Sequence, residues 1–239
     1  MPTMKFWLYA FAIVGTTFML FSSCEKDDDD NNGLTKTVTD IDGNVYKTVK
    51  IGDQVWFTEN LKTTQYNDGT PIPNVTGNSD WSILTSGAYA WYNNDEATYK
   101  DAYGALYNWY AVATGTLCPM GWRVPTDADW TSLTDYAGGL TVAGGKLKST
   151  RTIPDDHPRW ESPNTGATDE YNFSALPDGR RSSSSGSFLN AGSHSYWWSS
   201  TEDSFYNSWY RLLYYDRESV GRYYVGKRDG FSVRCVMDN

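Results

Sequence analysis

The run Cys118-Pro119-Met120-Gly121-Trp122-Arg123-Val124-Pro125-Thr126 leads directly into Asp127-Ala128-Asp129-Trp130-Thr131-Ser132-Leu133-Thr134-Asp135-Tyr136-Ala137-Gly138-Gly139. It predicts a helix over 126–137 with both ends marked. Thr126 is the N-cap, and Asp129 sits three residues on, at the capping-box position where Glu or Gln is usual. Trp130, Leu133 and Ala137 share one stripe, which is the face to bury, and Gly138-Gly139 stops the helix.

Toward the N-terminus the period changes from helical to alternating. Thr37 to Ile41, Val45 to Ile51 and Gln54 to Thr58 are three short strands, joined by Asp42-Gly43 and Gly52-Asp53. Asp-Gly and Gly-Asp are pairs that tight turns favour, so a three-stranded meander is expected. Tyr103 to Ala113 spaces its aromatic and aliphatic residues as a short helix would. Beyond about residue 140 Gly, Ser and Pro punctuate short strands, with a loop over Ser182 to Ser187. About two helices among many short antiparallel strands make an α+β plan, and no linker divides 37–239, so that range is one domain.

The first residues have another purpose. One cation, Lys5, precedes the apolar run Phe6 to Phe21, and Ser22-Ser23-Cys24 follows it. That is a signal peptide, 1–23, ending in a lipobox, with Cys24 the acylated first residue of the exported chain. The run is shorter than the roughly 20 residues that span a bilayer. Residues 24–36 open with Glu25-Lys26-Asp27-Asp28-Asp29-Asp30, too polar to bury surface, and form an acidic disordered tether. A cysteine followed by lysine and acids resembles the surface-export signal of Bacteroidetes lipoproteins. The expected location is the outer membrane, lipid-anchored and facing out.

Export removes Lys5 and no acid, so the net charge moves from −9 to −10. Such a chain does not condense on nucleic acid phosphates, and its link to the membrane is the lipid alone. The 11 Trp and 18 Tyr suit a loop-rich fold held by large side chains. With Cys24 acylated, only Cys118 and Cys235 remain. In an exported protein that count favours one disulfide over two buried thiols. No zinc site can be assembled, since His157 and His194 have no ligand spacing near them. No metal and no cofactor is expected.

Four stretches carry a resemblance. They are Ile51 to Leu61 (IGDQVWFTENL), Tyr103 to Trp109 (YGALYNW), Cys118 to Thr126, and the segment from Trp197-Trp198-Ser199-Ser200-Thr201-Glu202 to Gly230-Phe231-Ser232-Val233-Arg234-Cys235. Together they resemble the Fibrobacter succinogenes major paralogous domain of Bacteroidetes surface lipoproteins, over about 37–239. That family is similar to the C-type lectin-like fold. The resemblance implies that Cys118 meets Cys235 on the last strand, and Trp56, Trp109, Trp122, Trp130, Trp197 and Trp198 are read as core packing that explains fold and not activity.

Catalysis finds little support. Calcium-dependent lectins carry a Glu-Pro-Asn type motif and then Trp-Asn-Asp, because calcium needs several oxygens at once. Glu161-Ser162-Pro163-Asn164 and Trp91-Tyr92-Asn93-Asn94-Asp95 are echoes in the reverse order. Formylglycine-generating oxidases, which share the broad fold, need a further pair of thiols. There is no Gly-x-Ser-x-Gly elbow either. The chain is read as no enzyme.

Binding finds more. Residues 196–235 hold 12 aromatics, seven of them Tyr. Trp209, Arg211, Leu213 and Tyr215 alternate with Tyr210, Leu212 and Tyr214, as in a strand with one buried face. The surrounding Tyr, Ser, Asp, Asn, Gly and Arg are the residues of paratopes. The segment resembles the variable regions of diversity-generating retroelements. The expected recognition face is built by 203–229, with Phe205, Tyr206, Asn207, Tyr214, Asp216, Arg217, Tyr223 and Tyr224 as the ligand residues. Those beyond Phe205 should form one contiguous patch above buried Trp209, Leu213, Val220, Phe231 and Val233. The ligand would be an extracellular protein or glycan, and the protein a monomer. The alternatives are a structural or adhesive envelope protein without a discrete site, or a carbohydrate-processing accessory with exposed Trp platforms.

Overall fold

A single carboxylate organises the first turn. Asp40 Oδ1 accepts from the backbone N–H groups of Asp42 and Asn44, and Oδ2 accepts from Asn44 Nδ2 and, at 2.6 Å, from the buried Tyr46 hydroxyl. This closes β1 (Leu34–Thr39) onto β2 (Val45–Ile51), and Gly52 turns the chain back into β3 (Gln54–Phe57). The three strands are the expected meander. The computed structural model describes residues 34–238. The expected signal peptide, Cys24 and the tether up to residue 33 lie outside the described residues. β1 starts three residues inside the segment read as tether, where Leu34 pairs with Val49.

The chain continues through α1 (Asn78–Ser82), β4 (Tyr89–Trp91), α2 (Glu96–Tyr103), β5 (Ala105–Asn108), α3 (Trp109–Val112), β6 (Trp122–Arg123), α4 (Asp127–Tyr136) and α5 (Ala143–Leu147). Strands then dominate: β7 (Asp178–Arg181), β8 (Phe188–Ala191), β9 (His194–Glu202), β10 (Asn207–Tyr214), β11 (Val220–Gly226), β12 (Gly230–Phe231) and β13 (Val236–Met237). One sheet has the order β1-β2-β3-β13-β6. The other runs β11-β10-β9-β7-β12-β5-β4, with β8 beside β7. Among the described residues every pair of these strands is antiparallel except β7–β9. The result is one α+β domain.

The helix marked in the sequence forms as marked. Thr126 Oγ1 accepts from the Asp129 N–H at 3.1 Å, and Asp129 Oδ2 accepts from the Thr126 N–H at 2.7 Å. The short Asp in place of Glu has a second task, because Arg123 Nη2 and Gln54 Nε2 also donate to its Oδ1. Trp130, Leu133 and Ala137 are buried.

Tyr103 to Ala113 is not one helix. Tyr103 ends α2, Gly104 turns at φ +73°, and 105–108 are a strand before the single turn of α3. A side chain at Gly104 could not be held, since its Cβ would stand 2.7 Å from the Leu61 carbonyl oxygen. All four residues of β5 are buried between β12 and β4. With both faces apolar, a strand shows no alternation and imitates a helical spacing.

The sheets and helices enclose two main apolar clusters. One centres on Tyr107, Trp198, Phe231 and Val233, and the other on Trp56, Trp130, Trp197 and Phe173. Indole N–H groups tie distant segments together: Trp198 Nε1 donates to Tyr107 O, Trp109 Nε1 to Ser199 O, and Trp197 Nε1 to Asn60 Oδ1. Cys118 and Cys235 form a disulfide, joining the segment before β6 to the end of the chain.

Candidate functional site

The expected binding segment is the β10–β11 hairpin with its two flanking turns. Its register pairs Trp209 with Tyr224, Arg211 with Arg222, and Leu213 with Val220. Cross-strand partners share a face, so these six residues look toward α4. There Asp127, the first residue of α4, receives Arg211 Nη1 at 2.6 Å and Arg222 Nη2 at 2.8 Å. Burial alone would raise the Asp127 pKa, but these two guanidinium groups hold it below the usual carboxylate range. Arg222 Cζ also sits over the Trp209 ring, 3.9 Å from its centroid.

The opposite face carries Tyr210, Tyr223, Leu212 and Tyr214. Tyr210 packs on Phe231 and Tyr223, and the Tyr214 hydroxyl donates to that of Tyr223 at 3.3 Å. Burial pushes the Tyr210 hydroxyl up to about 12. The hairpin therefore buries side chains on both faces, not on one. Leu213 is covered by the α4 side and Leu212 by the core side.

This geometry corrects the single-patch expectation. Tyr223 and Tyr224 are both exposed but point to opposite faces, as neighbours in a strand must. Phe205, Tyr206 and Asn207 stand at one end of the hairpin, whereas Tyr214, Asp216 and Arg217 stand at the other, roughly 23 Å away at strand rise. Trp209, expected in the core, is only half-buried, and its ring is met by Tyr224 and Arg222. Leu213, Val220, Phe231 and Val233 are buried as expected.

Of the resulting groups, the β9–β10 end forms a concave surface. Phe205 and Tyr206 are 81% and 75% exposed and meet edge to face at 4.9 Å. Beside them lies a recess of about 300 Å³ lined by Tyr110, Ser183, Tyr206, Asn207, Gly226, Lys227 and Arg228. Lys227 donates to Glu202 Oε1 at 2.9 Å and sits 4.6 Å over the Trp109 ring. Ser183 is held by a 2.6 Å hydrogen bond to Asp229. Sequence reasoning placed Lys227 and Arg228 inside the expected face 203–229 without singling them out, and missed Tyr110 and Ser183. Tyr110 and Ser183 come from α3 and the β7–β8 loop, and nothing in their local sequence points to the hairpin.

At the other end, Arg217 stacks 4.4 Å over Tyr214. The turn is pinned from below by Lys148, which is buried and whose Nζ donates to the carbonyls of Thr165, Tyr214 and Arg217. Burial pulls the Lys148 pKa down to about 8.

The two echoes of a calcium motif have local roles. Asp95 caps α2 by accepting from the Thr98 N–H, and buried Asn164 donates to Ser149 O. Among the described residues no three of His, Cys, Asp and Glu converge, and no helix is long and apolar enough to cross a membrane.

Residues 49–237 match the family model described as the Fibrobacter succinogenes major domain. No curated protein and no solved structure matches.

Proposed function

The chain belongs to the Fibrobacter succinogenes major domain family, and from that premise we propose that it is a lipid-anchored, outward-facing binding protein of C-type lectin-like fold that performs no chemistry. Its ligand is an extracellular glycan or protein, and the docking point is the β9–β10 end of the terminal hairpin. One observation carries this reading. Phe205 and Tyr206 expose adjacent aromatic rings at the lip of a recess that also offers an amide, a hydroxyl and two cations. Rigid aromatic anchors beside adaptable polar groups are what recognition surfaces use.

A diversified receptor would confine its variation to positions without packing duties. In this segment the exposed Phe205, Tyr206, Asp216, Arg217 and Tyr224 come nearest to that condition, and Tyr210, Arg211 and Tyr223 are excluded. The alternative of a structural envelope protein draws on the tyrosine pairs Tyr214–Tyr223 and Tyr210–Tyr223, which serve the hairpin itself.

A glycan and cell-surface protein array probed with the full-length protein in detergent tests the reading. The double variant Phe205→Ala, Tyr206→Ala should lose at least about tenfold in affinity for any hit while keeping its melting temperature. Hits that bind the variant as well as the parent would remove the β9–β10 end from consideration.

A further inference from the structure

A second recess lies away from the hairpin. The segment 58–62 after β3, the C-terminal half of α2, the loop 151–158 and residues 174–176 surround it, with Arg234 at its base. Its volume is about 430 Å³, within the range of small-ligand sites. Thr58, Thr98 and Ser174 bring hydroxyls to the lining, and Ala102, Pro158 and Leu176 bring apolar surface. A sugar ring shows the same mixture, with hydroxyls at its edge and C–H groups on its faces. The wall is preformed, because the Tyr103 hydroxyl and His157 Nε2 lie 2.8 Å apart and hold the loop against α2.

The charges are what make this recess unusual. Arg234 is 1% exposed, and its guanidinium lies 4.2 Å from the centroid of Phe173. Nε and Nη2 donate to Asn60 Oδ1 at 3.3 and 3.1 Å, and Nη1 donates to Phe173 O. Those acceptors are neutral, and among the described residues no carboxylate lies within 4.0 Å of this guanidinium. Each terminal nitrogen keeps a second N–H. Burial draws the Arg234 pKa down to about 10, so it stays cationic at neutral pH. Asp178 stands behind Asn60, which donates to it at 2.7 Å, and burial pushes that carboxyl up to about 7. Asp178, with Asp169 and Glu59, acts on the Arg234 charge from a distance and not by direct contact.

At the rim, Arg151 donates to the Asp156 carbonyl and has no carboxylate partner among the described residues. Lys62 is shared between Glu59 at 2.9 Å and the well-exposed Asp101 at 3.8 Å. The lining thus carries Arg151, Arg234 and Lys62 against Glu59 and Asp101, with Asp178 and Asp169 acting on Arg234 from behind it. Asp178, Asp169 and Glu59 act on Arg234 only from beyond 4.0 Å, so a buried cation here lacks a contact partner, and an anionic ligand touching it would offset part of its desolvation cost.

The geometry points to a binding site for a carboxylate-bearing monosaccharide, a uronic acid, with its carboxylate toward Arg151 and Arg234 and its ring along Pro158 and Leu176. The site is separate from the hairpin recess and stands or falls independently of it.

Calorimetric titration of sodium glucuronate, and in parallel of glucose, into the detergent-solubilised full-length protein tests the assignment. Glucuronate should bind saturably and glucose at least about tenfold more weakly. Arg234→Ala could fail to fold, so the informative variant is Arg151→Ala. It should weaken glucuronate about tenfold with an unchanged melting temperature, whereas Phe205→Ala should leave glucuronate binding as it was. Absence of saturable binding up to about 10 mM, equal affinity for glucose, or an Arg151→Ala protein that binds as well as the parent would each overturn the site.

Discussion

Arg211, at the centre of β10, presents an almost fully buried guanidinium to Asp127 at the first position of α4, with Nη1 and Oδ1 2.6 Å apart. The ion pair locks the terminal hairpin onto the helix. The carboxylate also lies where the helix dipole favours negative charge.

Because the two cations bound by Asp127 differ in exposure, losing the shared carboxylate should cost more than losing the exposed cation. Asp127→Ala would strand the buried Arg211 charge and should cost about 3–5 kcal/mol. Arg222 is 40% exposed, and Arg222→Ala should cost no more than about 1 kcal/mol. Urea denaturation of both variants checks this, and equal losses would show that the hairpin is held by something other than Arg211.

The disulfide closes a loop between residues 117 apart in sequence. In the chain-entropy model its removal should destabilise the protein by roughly 4–5 kcal/mol. Cys118→Ser with Cys235→Ser should therefore melt well below the parent. A non-reduced tryptic digest should yield the cross-linked peptide pair, and two alkylatable thiols in the oxidised protein would contradict it.

Asp178 should make stability fall as pH rises. Its carboxyl is fully buried, and burial pushes the pKa from 3.8 up to about 7 although Ser232, Ser195, the Tyr196 N–H and Asn60 oppose the shift. The folded state then holds a proton that the unfolded chain releases. Its stabilising contribution is complete below about pH 4 and is lost as pH climbs through about 7, a change of at most about 4 kcal/mol. Asp178→Asn removes the titration, so the difference in stability between parent and variant should shift in favour of the variant between pH 4 and 7. A difference that does not vary with pH would mean that Asp178 is ionised throughout.

Acylation at Cys24 is the fourth prediction, and it rests on sequence alone. Palmitate labelling of the expressed protein should disappear in Cys24→Ser. Labelling that survives would end the lipid-anchor reading.

How far the sequence reached can be traced element by element. The α4 helix was legible down to its cap, because a capping box and a glycine stop act over three or four residues of backbone. The β1–β3 meander was legible for the same reason, since its turns are decided by Asp40 to Asn44 and by Gly52. The disulfide partners followed from a count of three cysteines and from the family resemblance. Tertiary structure decided the rest. β5 lost its alternation because both of its faces are buried, and no local signal separates such a strand from a helix. Tyr223 and Tyr224 took opposite faces once the hairpin register was set, which split a patch that composition alone had suggested was continuous. Tyr110, Ser183 and Lys227 came together beside Tyr206 only when three distant segments packed around Trp109 and Asp229. Burial and long-range pairing assign a side chain its neighbours, and a linear sequence records neither.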